Sequence, residues 1–131
     1  MVAGKGDPGF NLSLDEAKQI IAQGTPDDVF RDKKVLVLTP DTTRTCPLPR
    51  MVSAVHDVIG TKAKQLDFMV ALGSHKPLLE DQILALYGIS PDRRSKEFES
   101  NQFLNHRWDI PGTLVKLGTI PSGEIETLTG G

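Results

Sequence analysis

Cysteine is nearly absent from the chain, with Cys46 the single one in 131 residues. That excludes an intramolecular disulfide and fits a reducing compartment, so the cytoplasm is the expected location. An excess of basic charge is also missing. The 15 Lys and Arg stand against 17 Asp and Glu, a formal net charge of -2, which argues against a nucleic-acid binder working through a broad basic surface. No apolar run approaches the roughly 20 residues that cross a bilayer. The opening residues, Met1 to Gly6, lack the apolar stretch of a secretory signal. Zinc-ligand spacings and a glycine-rich phosphate loop are missing too, so the residues themselves predict no metal site. With 38% hydrophobic and 24% charged residues, the chain has the make-up of one globular domain with one core.

The stretch that organises the remainder is Val35-Leu36-Val37-Leu38-Thr39, followed by Pro40-Asp41-Thr42-Thr43-Arg44. Consecutive apolar, largely β-branched residues of this length predict a strand buried on both faces. Pro40 cannot donate to a sheet ladder and ends it. Before this strand, residues 1–10 read as a flexible arm. Ser13 and Glu16 then form a capping box for a helix that ends near Gln23, with Gly24 as a left-handed stop. Thr25 to Asp28 cap a short turn. After the polar loop, Leu48, Met51, Val52, Val55, Val58 and Ile59 recur at helical spacing, and Gly60 closes that helix. His56 falls off the apolar face and reads as a solvated histidine.

The pattern then repeats. Leu66 to Leu72 is a second apolar run, Gly73-Ser74-His75-Lys76-Pro77 a second polar loop, and Leu79 to Leu86 a helix closed by Gly88. Two β-loop-α units in succession predict parallel strands with right-handed crossovers. Parallel strands bring both polar loops to one edge of the sheet, where open α/β sheets bind ligands. Arg44 and His75 should then lie within a small substrate's width, about 10 Å or less. Pro91 to Glu99 reads as a turn with a short helix, and Phe103 to His106 as a short strand. Thr113–Gly118 and Glu124–Leu128 alternate like two further strands around Pro121-Ser122-Gly123, with no helix after them. The fold class expected is α/β: a mostly parallel, Rossmann-like sheet of repeated β-loop-α units with a short C-terminal β segment.

The polar groups carry two readings each. His75, between Gly73 and Pro77 after a buried strand, is placed either as a catalytic base or as a brace for its loop. The guanidinium of Arg44 matches a carboxylate or phosphate, or else pairs with Asp41. Asp41 either faces a ligand or closes an Asx-turn over Thr43. Cys46 is a nucleophile with His75 as its base, or a small buried hydrophobe.

Pro40-Asp41-Thr42-Thr43-Arg44 with Pro47, and then Ala71-Leu72-Gly73-Ser74-His75-Lys76-Pro77, resemble the paired motifs of the lactate racemase family. These are nickel-pincer-nucleotide-dependent 2-hydroxyacid racemases and epimerases. Asn105 to Asp109 and Leu117 to Gly123 are similar to that family's later landmarks, in the same order, so the resemblance covers about residues 30–125. Thr45-Cys46 departs from it, standing where family members often continue directly with Pro.

The resemblance implies an isomerase. Asp41, Thr42, Thr43 and Arg44 would line the pocket of the nickel-pincer nucleotide, Arg44 would also hold the substrate carboxylate, and His75 would be one of two acid/base histidines. The reaction implied is inversion at the carbinol carbon of a small 2-hydroxy acid by proton-coupled hydride transfer. The second histidine, the lysine that carries the cofactor and the nickel-ligating histidine lie further along in the family. Residues 1–131 are therefore expected to form a single domain, the N-terminal part of a two-domain enzyme with its own C-terminal domain as partner, and to be inactive in isolation. The alternative is a non-catalytic module that binds an anionic metabolite or nucleotide in the same crevice.

Overall fold

The computed structural model describes residues 3–130. The chain order is α1 (Leu14–Gly24), α2 (Asp27–Phe30), β1 (Lys34–Thr39), α3 (Leu48–Ile59), β2 (Gln65–Val70), α4 (Glu80–Tyr87), α5 (Pro91–Lys96), β3 (Phe103–Asn105) and α6 (Ser122–Thr129). The three strands form an open, wholly parallel sheet in the order β1-β2-β3. Val35 lies opposite Leu66 and Thr39 opposite Val70, while Val70 faces Asn105 on its other side. This is the α/β, Rossmann-like arrangement that the repeated β-loop-α pattern predicts. Because β1 and β2 are parallel and in register, their C-terminal ends finish level and both polar loops leave the sheet at one edge.

Side chains alternate across a strand, so Val35, Val37 and Thr39 share a face with Leu66, Phe68 and Val70. On that face sits the core, formed with Leu48, Val52 and Ile59 of α3, with Ile83 and Tyr87 of α4, and with Phe98. The rings of Phe68, Tyr87 and Phe103 lie 5.9 Å apart in each pairing, within the range where aromatic rings attract. Pro47 and Pro49 occupy the cap and first turn of α3, where a missing N–H costs nothing. Gly88 closes α4 in the left-handed conformation, φ 65°. A Cβ there would sit 2.8 Å from Pro49, so glycine also lets the end of α4 meet the start of α3.

The opposite face is open. Leu36 and Leu38 are 47% and 65% exposed, which corrects the expectation of a strand buried on both faces. Among the described residues no helix covers that side, where Gln65 and Asp67 stand beside Leu36, Leu38 and Met69. Four local expectations also fail. Gly24 belongs to α1 and is not left-handed; the helix ends at Thr25, whose hydroxyl donates to Ile21 O at 2.6 Å. His56 is half-buried, its ring 4.1 Å from that of Phe98, because α5 and the turn after it fold over that side of α3. Thr113–Gly118 is irregular, and Glu124–Leu128 lies within α6.

The last two fail for separate reasons. A period-two segment becomes a strand only when a sheet edge takes its hydrogen bonds, and no strand pairs with residues 113–118 among those described. Over the five residues of Glu124–Leu128 the two periodicities are hard to tell apart, and Pro121, with φ -59° already set, starts a helix. The capping box of α1 holds: Glu16 N–H donates to Ser13 Oγ at 3.2 Å, and Ser13 N–H to Glu16 Oε2 at 3.0 Å. Residues 3–12 are irregular and mostly exposed; residues 1 and 2 of the expected arm, and the final Gly131, lie outside the described part.

Candidate functional site

Where β1 and β2 end, the loops Pro40–Arg44 and Ala71–His75 enclose an open cavity of about 470 Å³, a size that suits a small ligand. Thr39, Asp41, Thr43, Arg44, Ser74 and His75 contribute to its wall. Each is placed by a specific local device. Thr39, the last residue of β1, is buried, and its hydroxyl meets that of Tyr87 at 2.7 Å. This ties α4 to the floor of the site. Gly73 turns the chain after β2 at φ 60°, with nothing within 4 Å of where a Cβ would stand. His75 N–H then donates to Leu72 O at 3.0 Å and closes the turn.

Asp41 is the hub. It is 7% exposed, and both of its oxygens are engaged. Oδ1 accepts from Thr43 N–H at 3.0 Å and from Thr43 Oγ1 at 2.5 Å, which is the Asx-turn that the Asp-x-Thr order allows. Oδ2 is hydrogen-bonded to His75 Nδ1. The Thr43 hydroxyl, then the His75 ring, then the Thr43 backbone N–H hold the Asp41 carboxyl down to about 2, so it is a carboxylate at neutral pH and can only accept. Nδ1 of His75 must therefore be the donor. In the neutral ring the proton sits on Nδ1, and Nε2 keeps its lone pair. A carboxylate that fixes a tautomer in this way leaves the distal nitrogen free to act as a base.

His75 itself is exposed, its side chain 55% accessible, so a ligand in the cavity can reach it. Arg44 shares the cavity wall and, among the described residues, makes no ion pair. Its pairing with Asp41, one of the two readings open from sequence, does not occur; that carboxylate takes its hydrogen bonds from His75 and Thr43 instead. The site thus pairs a free guanidinium with an oriented imidazole. Thr42 is exposed and lies outside the cavity wall. Cys46 lies instead among apolar side chains of β1 and α3, in a separate cleft with Val37, Leu48 and Val52, which is the small-hydrophobe reading.

Two further residues touch the His75 loop, and neither has a role that sequence alone suggests. Asn105, at the end of β3, accepts from Leu78 N–H at 2.9 Å and donates to Leu78 O at 2.8 Å. Trp108 donates its indole N–H to His75 O at 3.1 Å. Both stand in the stretch Asn105 to Asp109 that carries the family resemblance, but their function is visible only once β3 is laid beside β2. Among the described residues no group of three or more His, Cys, Asp or Glu side chains converges as a metal site.

The family described as the lactate racemase N-terminal domain matches residues 15–127. Among solved structures, a crystal structure of a protein from Thermotoga maritima has a TM-score of 0.71 at 25% sequence identity. That match covers 95% of this chain and 28% of the other, so the chain spans little more than a quarter of that protein's length. No curated protein matches.

Proposed function

The chain belongs to the lactate racemase N-terminal domain family, and on that premise we propose that it is the proton-handling, anion-binding part of a larger 2-hydroxyacid racemase or epimerase. The observation that carries this reading is the Asp41–His75 pair beside Arg44, which makes no ion pair among the described residues, in one cavity. A 2-hydroxy acid presents a carboxylate and a hydroxyl on adjacent carbons, and the site offers a partner for each. Arg44 holds the carboxylate through its planar fork. His75 Nε2 would take the hydroxyl proton while the carbon bearing that hydroxyl gives up hydride to the electron sink a bound cofactor would supply, and would return the proton in the reverse direction. Asp41 keeps the ring in the tautomer that can do so and stabilises the imidazolium formed.

The donor set also fits the anionic groups of a nickel-pincer nucleotide. Thr43, Arg44 and Ser74 would hold it, with Thr42 at the margin, whereas the metal itself finds no ligand cluster among the described residues. When bound, such a nucleotide supplies the electron sink that makes hydride departure possible. A protein ligand for the cofactor's metal and a second proton-handling group would then come from a C-terminal domain of the same enzyme. One fixed imidazole is in hydrogen-bond reach of the hydroxyl of one enantiomer only, so residues 1–131 by themselves should not interconvert the two.

The test is to incubate single enantiomers of lactate with the intact enzyme, supplied with nickel and the pincer nucleotide, and to follow the other enantiomer by chiral chromatography. His75→Ala should lower turnover by about 10²–10⁴-fold, and Arg44→Lys should raise KM, because an ammonium cannot replace the fork. Unchanged turnover in His75→Ala refutes the reading. Binding of the hydroxy acid by the intact protein without any turnover points instead to a module that uses the same crevice only to hold an anion.

A further inference from the structure

His75 is not on a regular element. It sits in a loop, exposed, with a glycine of positive φ two residues before it, so its backbone would be free to wander unless something outside the loop held it. The loop's own contribution is small: one turn hydrogen bond, from His75 N–H to Leu72 O. On the β1 side the loop is tied by Ala71 N–H to Thr39 O at 2.8 Å and by the ring's own bond to Asp41, and its other anchors come from one distant segment, residues 105–108. β3 runs beside β2 so that Asn105 lies opposite Val70, and His106 N–H donates to Val70 O at 3.0 Å. From there the Asn105 amide reaches across to Leu78 and satisfies both its N–H and its C=O. A primary amide has the same donor and acceptor pair as a peptide group, so Asn105 binds the far end of the loop as another strand would. Trp108, three residues on, grips the carbonyl of His75 itself.

We propose that Asn105 and Trp108 are positioning residues for His75, forming a strap that holds the imidazole against Asp41 and so sets its tautomer. The chemistry requires both members. Asp41 dictates the Nδ1–H tautomer only while the ring stays in hydrogen-bond reach, and a displacement of about 1 Å is enough to lose such geometry. The Asn105 clamp fixes the loop's exit and the Trp108 bond fixes the residue that bears the ring. A loop without them can turn His75 toward solvent, where histidine favours the Nε2–H form, which offers no base on the cavity side. The inference rests on the Asp41–His75 reading and adds to it the residues that enforce it.

The experiment uses the 131-residue chain labelled with ¹⁵N, and reads the His75 ring nitrogens by two-bond ¹H–¹⁵N correlation above the ring's titration. The unsubstituted chain should show a protonated Nδ1 and a bare Nε2. Trp108→Phe, which keeps an aromatic side chain but removes the indole N–H, and Asn105→Ala should each shift His75 toward the mixed pattern of a free imidazole, with the amide signals of β1 and β2 in place. Should Asn105→Ala fail to fold, Asn105→Asp takes over: it keeps the acceptor for Leu78 N–H, loses the donor, and should give an intermediate pattern. A purely structural role would lower the melting temperature and leave the ring pattern alone. A folded variant that retains the unsubstituted pattern overturns the role of the residue it replaces. An unsubstituted chain without the Nδ1–H signature is a different failure, and refutes the Asp41–His75 pairing itself.

Discussion

Replacing Thr39 by Val should cost more stability than replacing its partner Tyr87 by Phe, and the double variant should recover part of the loss. The two hydroxyls are buried and meet at 2.7 Å, while the Thr39 hydroxyl has a second acceptor, Met69 O, at 3.4 Å. In Tyr87→Phe, Thr39 turns fully to that carbonyl and no buried group is left without a partner. The cost is then the net worth of one hydrogen bond, about 0.5–1.5 kcal/mol. In Thr39→Val the phenol of Tyr87, fully buried, loses its partner, at about 1–3 kcal/mol. In the double variant the orphaned phenol is gone, so the cycle should show a coupling of about 0.5–3 kcal/mol, the range for residues in direct contact.

Urea denaturation followed by far-ultraviolet circular dichroism gives all four corners of the cycle. Burial also raises the Tyr87 phenol above its ordinary value of 10. Its neutral form therefore contributes stability that is complete below pH 10 and is lost as the pH climbs through the raised value, so Tyr87→Phe should resist alkali better than the unsubstituted chain. Equal costs for the two single variants, with no coupling, would refute the claim that this pair ties α4 to the floor of the site.

The low value of Asp41 makes an acid prediction: the stability it contributes is complete above about pH 4 and is lost as the pH falls toward about 2. Asp41→Asn should flatten that part of the acid-unfolding curve, and an unchanged curve would show that Asp41 is not held by Thr43 and His75. Phe68, wholly buried between the rings of Tyr87 and Phe103, should cost about 3–5 kcal/mol as Phe68→Ala. Leu38→Thr, on the open face, should stay within about 0.5 kcal/mol in chemical denaturation, and a large loss there would mean that the face is covered in solution.

What the sequence determined by itself is local and periodic. The capping box of Ser13 and Glu16, the prolines that start α3, the glycine that ends α4 and the two apolar runs are each specified within a turn or a strand's length. The order β-loop-α-β-loop-α then makes the strands parallel and brings Asp41 and His75 to one edge, so the outline of the site was legible from pattern. Tertiary structure decided what depends on a neighbour far along the chain. Val37 and Leu38 are alike as residues, yet one is packed and the other exposed, because α3 covers a single side of the sheet. Thr113–Gly118 alternates like a strand and stays irregular because, among the described residues, neither outer edge of the sheet takes its hydrogen bonds. Asp41 had two candidate partners in sequence, Thr43 and Arg44; it took the first together with His75, 34 residues away, and left Arg44 free. A carboxylate has few acceptor positions, and which donors fill them is a matter of distance in space, which no spacing along the chain reveals.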